Sequence, residues 1–302
     1  MSRVLVTGAG GFVGRPAVAA LRNEGFEVHA AGRTPAGDVD VDAWHTADLL
    51  DPEAAGSLVR HAGASQLLHL AWTTAHGSFW DDPANLDWAR ATRRLVEAFA
   101  EAGGVRAVVA GSCAQYDWGV AGLLQETCTP RRPATRYGQA KQAVSEQLEA
   151  WSSDHGLSYA TALLFFPYGP FEQPERLVSS VTRSLLAGDD APVSAGTQVR
   201  DFIHVEDCGA ALAALVAGET TGAVNVATGR GSAVADVATT IGRIIGREDL
   251  VRIGALPNGD DGSQVVADVA RLRDEVGFSP RYDLETGLRA TIEWWRQRTR
   301  RR

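Results

Sequence analysis

Thr7-Gly8-Ala9-Gly10-Gly11-Phe12-Val13-Gly14 follows the apolar run Val4-Leu5-Val6 and leads into a helical pattern at Arg15. A glycine pattern alone is a weak signal, but between a strand and a helix it predicts a dinucleotide site. Gly8 permits the tight turn, Gly11 lets the backbone approach a pyrophosphate, and Gly14 allows close packing of helix on strand. The helix N-terminus presents unpaired N–H groups and a positive dipole end to the phosphates.

Outward from this loop, strand-like and helix-like periods alternate. Strands are predicted at 3–7, 27–31, 43–47, 66–70, 107–111 and 159–165, and helices at 15–23, 51–61, 85–102 and 137–153. That alternation implies a parallel sheet with helices on both faces. After Tyr168 the rhythm changes to Gly/Pro turns, a helix over 177–187, and strands at 199–204 and 223–227.

The bulk properties exclude several function classes. The chain has 302 residues, a net charge of −8, 45% hydrophobic and 22% charged residues. The acidic balance argues against nucleic acid as a partner. Three widely spaced cysteines, Cys113, Cys128 and Cys208, form neither a disulfide framework nor a zinc site. No signal-peptide pattern or membrane-length apolar run is present, so a cytoplasmic protein without membrane partners is expected.

A second motif agrees with the first. Tyr137 and Lys141 are four apart, one above the other on a helix face, and Ser112 ends an earlier strand pattern. A phenol titrates too high for acid–base work at neutral pH, and a nearby ammonium would lower it. Tyr137 is then the expected proton donor and acceptor, with the Ser112 hydroxyl bonding the same substrate oxygen.

Further segments carry a resemblance: Asp48-Leu49, Leu70-Ala71, Gly111-Ser112-Cys113-Ala114-Gln115-Tyr116, Tyr168-Gly169-Pro170, Arg200-Asp201-Phe202-Ile203-His204-Val205, and 282–288 with Trp294-Trp295. Over nearly its whole length the chain resembles the extended short-chain dehydrogenase/reductase family, in its nucleotide-sugar epimerase/dehydratase branch. The resemblance implies a Rossmann-type, doubly wound parallel sheet with a smaller C-terminal substrate-binding lobe. Residues 1–166 would form the dinucleotide-binding part, segments near 197–227 would return to it, and 167–302 would be mainly the discontinuous lobe. It also implies a nucleotide diphosphate sugar as substrate and a homodimer.

The cofactor set by motif and resemblance is Thr7, Gly8, Gly11, Phe12, Val13, Gly14, Leu70, Ala71, Tyr137 and Lys141, with Asp48 and Leu49 beside the adenine. About twenty residues beyond the glycine loop, where an acid would mark NAD, stands Arg33, whose fork suits a 2′-phosphate. Arg15 would add a second contact, and Asp38 and Asp40 fall too late to supply the acid. NADP(H) is therefore expected, with NAD the alternative.

The reaction is narrowed by absences. The family's 4,6-dehydratases carry an Asp-Glu pair directly after the catalytic Ser/Thr, where this chain has Cys113 and Ala114. The Gly-Ser-Cys-Ala-Gln-Tyr segment is similar to that of 4-ketoreductases acting on nucleotide-linked 4-keto-6-deoxyhexoses. The main expectation is NADPH-dependent reduction of such a C4 ketone. A nucleotide-sugar 4-epimerase with tightly bound NAD is the alternative, and a non-catalytic NADP-binding regulator a third. Substrate contacts are expected from Trp72, Thr73, Thr74, Cys113, Phe166, Arg176 and Arg200. His204 reads as structural.

Overall fold

The computed structural model of the chain describes residues 2–257 and 264–300. The first half runs β1 (Arg3–Thr7), α1 (Gly14–Asn23), β2 (Glu27–Gly32), β3 (Ala43–Thr46), α2 (Ala54–Ala62), β4 (Gln66–His69), α3 (Ala84–Glu101), β5 (Arg106–Ser112), α4 (Arg136–His155) and β6 (Ser158–Leu164). Then come β7 (Phe166–Tyr168), α5 (Leu177–Ala187), β8 (Ala191–Val193), β9 (Val199–Arg200), β10 (Phe202–His204), α6 (Val205–Ala217), β11 (Gly222–Val226), α7 (Val234–Ile245), α8 (Ala270–Asp274) and α9 (Leu284–Arg300).

Seven strands make one parallel sheet in the order β11-β6-β5-β4-β1-β2-β3. The strand order reverses between β1 and β4, which opens a crevice at their carboxyl ends. Successive side chains of β1 point to opposite faces. Val4 and Val6 enter the core beneath α1 and α6, and Leu5 enters the core beneath α2 and α3. Both faces are covered, so all three are fully buried. This is the parallel sheet with helices on both faces that the alternation predicted, and the Rossmann-type sheet that the resemblance implied.

A smaller lobe packs beside it. Val178, Val181 and Leu185 of α5, Val237 and Ile241 of α7, and Leu288 and Ile292 of α9 close a separate core around Tyr168. The strand predicted over 199–204 is broken at Asp201. Its buried carboxylate accepts N–H bonds from Thr228 (2.8 Å), Gly229 (2.9 Å) and Ala267 (3.3 Å). Either side of it, β9 pairs with residues 232–233 and 264–265, whereas β10 pairs with β7. Among the described residues no helix is long and apolar enough to cross a membrane.

Candidate active site

The glycine loop leaves β1 at the crevice and is shaped by backbone crowding. Gly8 has φ +71°, and a Cβ there would lie 2.9 Å from the Ala71 nitrogen. At Gly14 a Cβ would overlap the Gly8 carbonyl oxygen, so only glycine lets α1 start this close to β1. The loop is thus a bare backbone cradle ending in a helix N-terminus, which fits a dinucleotide pyrophosphate. Thr7 stands behind it. Its buried hydroxyl meets His69 Nδ1 at 2.7 Å and accepts from the Leu70 and Ala71 nitrogens at 3.2 and 3.3 Å, tying β1 to β4. Thr7 therefore holds the cradle's frame and does not line it.

A continuous cavity of about 1010 Å³ runs from this loop across the ends of β4 and β5 into the small lobe. Gly8, Gly11, Phe12, Val13, Gly14, Leu70 and Ala71 line one end. Ser112, Tyr137 and Lys141 line the middle, although they come from β5 and α4. Ser112 ends β5 by capping the turn that follows, accepting from the Ala114 nitrogen at 3.2 Å. Tyr137 sits in the first turn of α4, and its backbone nitrogen donates to the Trp80 carbonyl at 2.9 Å. Rings of Phe79, Trp80 and Trp72 meet the Tyr137 ring edge-on at 5.0, 5.8 and 6.2 Å between centroids.

Burial governs the charges here. It pushes the Tyr137 phenol up to about 12, against a smaller pull from the Ser112 hydroxyl. It draws Lys141 down to about 7. Lys141 Nζ donates to the Ala110 carbonyl at 2.7 Å and lies 3.8 Å from the Trp72 ring centroid. The expected lowering of the tyrosine by this lysine is not seen: burial sets the direction of the phenol, and Lys141 is not among the groups that shift it. The Cys113 thiol is buried and likewise pushed up to about 12, which makes it a packing group rather than a proton carrier.

The predicted substrate contacts divide. Trp72, Thr74, Cys113, Phe166, Arg176 and Arg200 line the cavity. Thr73 does not; its hydroxyl accepts from Trp88 Nε1 at 2.8 Å. Arg200 is almost fully buried between the rings of Trp118 and Phe166, at 5.5 and 5.6 Å. Phe79, Trp118 and Glu172 also line the cavity and escaped the sequence reading because no local motif marks them; Phe202 lies in the 200–205 segment but was not singled out as a contact. His204 is buried against Tyr282 and Tyr168, with neither ring nitrogen hydrogen-bonded among the described residues, in line with a structural role.

The adenosine end departs further from expectation. Asp48 is exposed and accepts from the Leu50 nitrogen at 3.1 Å, a turn contact, and Leu49 is buried in the core beneath α2. Neither lines the cavity. Arg33 is exposed and also outside the lining. Arg15 turns to the Gly10 carbonyl (3.0 Å) and to Asp38 (2.6 Å). The two cations expected to receive a 2′-phosphate are therefore one turned to solvent and one already paired.

Comparison with known proteins agrees. Residues 4–227 match the model of the NAD dependent epimerase/dehydratase family. A dTDP-glucose 4,6-dehydratase of Streptomyces niveus is 28% identical over 97% of this chain and 93% of its own length. The structure of MoeE5 in complex with UDP-glucuronic acid and NAD is 31% identical, with a TM-score of 0.86 over 98% of this chain and 100% of that one. A UDP-glucose 4-epimerase of Thermotoga maritima, solved with UDP-glucose, has a TM-score of 0.88 at 23% identity over 98% and 99%, a likeness of fold.

These findings overturn two expectations. The similar proteins are epimerases and dehydratases rather than NADPH-dependent C4 ketoreductases, and the dinucleotide in the MoeE5 complexes is NAD, not NADP(H). With the motifs, the sheet order and the match over residues 4–227 in agreement, this chain belongs to the NAD dependent epimerase/dehydratase family.

Proposed function

We propose that the chain epimerises C4 of a nucleoside diphosphate hexose and keeps its NAD through turnover. The observation that carries this reading is the pair following Ser112. Cys113 is a buried thiol held protonated and Ala114 has no acid–base group, so the position offers nothing to drive elimination of water. Oxidation and re-reduction at one carbon need only one proton carrier, and Tyr137 is that group. The NAD-bound MoeE5 complexes with UDP-glucose and UDP-glucuronic acid support a uridine diphosphate hexose as the first substrate to test.

NAD, when bound, supplies a hydride acceptor and a positive charge that favours the Tyr137 phenolate. Tyr137 takes the proton from the sugar hydroxyl and later returns it. Ser112 donates to the same oxygen and steadies its charge, a contribution of about 3–4 kcal/mol in comparable sites. Arg176 and Arg200, which line the cavity, would hold the diphosphate, since guanidinium pairs bidentately with phosphate oxygens. Inversion requires the hexose to present both faces. Phe79 and Phe166 wall the cavity with rings, and the Trp118 indole N–H is already committed to the Cys113 carbonyl at 2.8 Å. Such walls exclude water without clamping sugar hydroxyls. The homodimer implied by resemblance would use the groove between α3 and α4, where Leu86 is exposed beside Ala89, Ala140 and Ala143.

The test is incubation of the purified protein with UDP-glucose, UDP-glucuronic acid or dTDP-glucose and no added cofactor. The expected product is an isobaric epimer, with NAD released on denaturation. Loss of one water from the substrate would instead identify a dehydratase, and conversion that depends on added NADPH would overturn the reading.

A further inference from the structure

The Arg15–Asp38 pair has no assigned role, and its setting gives it one. At the end of β2 the cavity wall is Gly10, Gly32, Thr34 and Ala36, with no charge on it. Arg33, directly after β2, forms no hydrogen bond or ion pair with another described residue. The segment after it folds back over the glycine loop, so closely that a Cβ on Gly10 would lie 2.8 Å from the Ala36 Cβ. That fold delivers Asp38 to Arg15, a pairing that sequence spacing does not show.

Arg15 is fixed from three sides. Nε donates to the Gly10 carbonyl (3.0 Å), Nη1 meets Asp38 Oδ2 (2.6 Å), and the guanidinium lies 4.5 Å from the Phe171 ring centroid. Phe171 holds φ +69°, a strained value for a non-glycine residue, and packs on Trp294 of α9 at 5.0 Å. The cation is therefore held in place with its charge already answered.

We infer that the Arg15–Asp38 ion pair, rather than an acid at the end of β2, makes this chain select NAD over NADP. The inference rests on the NAD reading above. A ribose hydroxyl at the β2 end meets a neutral wall and costs nothing. A 2′-phosphate there brings negative charge toward the Asp38 carboxylate and must compete with it for Arg15. Without Asp38, Arg15 becomes a ready phosphate ligand, because guanidinium binds phosphate and carboxylate by the same geometry. Asp38 is thus a specificity residue acting through Arg15.

The test incubates purified protein with equal concentrations of NAD and NADP until the bound ratio no longer changes with time, removes free nucleotide, denatures the protein, and quantifies the released dinucleotides by chromatography. Thermal midpoints confirm that each variant is folded. The wild type should release NAD. Asp38→Asn should raise the NADP to NAD ratio about tenfold, the scale of one additional charge-assisted hydrogen bond. Adding Arg15→Gln should return the ratio to the wild-type value, and Arg33→Ala should leave it unmoved. An unchanged ratio in Asp38→Asn, or a rise that survives loss of Arg15, overturns the inference and leaves the NAD reading standing. A wild type that releases NADP overturns both.

Discussion

The two ends of the cavity are built on opposite plans. At the glycine end the binding groups are backbone N–H groups, and polar side chains packed behind and beside them are committed to partners: Arg15 to Asp38, and Thr7 to His69, whose Nε2 reaches the Thr92 hydroxyl at 2.8 Å. At the tyrosine end the working groups are side chains in an aromatic box, with phenol, ammonium and thiol all pushed by burial toward their neutral forms. The first end fails when an atom is added, and the second fails when one is taken away.

Removing the Tyr137 hydroxyl is the sharpest way to separate them. Tyr137→Phe should lower turnover about 10³-fold, within the usual range for losing a positioned acid–base group. NAD released on denaturation should stay at the wild-type level. Parallel loss of NAD would show that the ends are one unit. Gly14→Ala tests the other end. Its Cβ overlaps the Gly8 carbonyl oxygen and has only backbone to push against. It should abolish retained NAD and cost about 1–3 kcal/mol in urea unfolding, the usual range for overpacking.

A more gradual effect should come from Lys141. Its folded-state pKa lies near 7, below its ordinary 10.5, so between these values the unfolded chain binds the extra proton. Stability should therefore rise with pH from about 7 toward 10.5, by at most about 1.4 kcal/mol per pH unit. Lys141→Met should flatten that slope in urea midpoints measured across the window. A slope unchanged in the variant would assign it to another group.

The glycine end was legible in the sequence because each part of it is local: strand, loop and helix follow within twenty residues, and the glycines report steric contacts inside that segment. Six strands of the sheet followed from the same alternation, whereas β11 lies beyond the change of rhythm after Tyr168. Ser112, Tyr137 and Lys141 were legible through their fixed spacing and a family likeness. The aromatic box was legible only in part: Trp72 and Phe166 were expected, whereas Phe79, Trp118 and Phe202 join them from three separate segments. The cofactor expectation failed for a related reason. Arg15 and Arg33 read as cations, but the charge of Arg15 is cancelled by Asp38, twenty-three residues along the chain. Sequence spacing counts residues along the chain, whereas the loop over Gly10 folds back and shortens the path.

Glu172 offers the finest test, because it lines the same cavity and, like the groups around Tyr137, is pushed by burial toward its neutral form. It lines the cavity, is nearly fully buried, and its Oε2 accepts from the Ser179 hydroxyl at 2.7 Å and the Ser179 nitrogen at 3.2 Å, closing the first turn of α5. Burial pushes its carboxyl up to about 7 from 4.5, with Ser179 and Arg176 pulling it back in part. Between those values the folded protein keeps a proton that the unfolded chain has released. The stability Glu172 contributes is therefore fully present below about 4.5 and lost as pH rises through 7. Glutamine keeps the acceptor and cannot ionise. Relative to wild type, Glu172→Gln should thus gain up to about 3 kcal/mol between pH 5 and pH 8, read as the difference between two urea titrations. Other titrating groups cancel in that difference, so the sign belongs to this carboxyl. Parallel curves would mean that Glu172 is ionised throughout and that the cavity is wetter at Glu172 than at Tyr137.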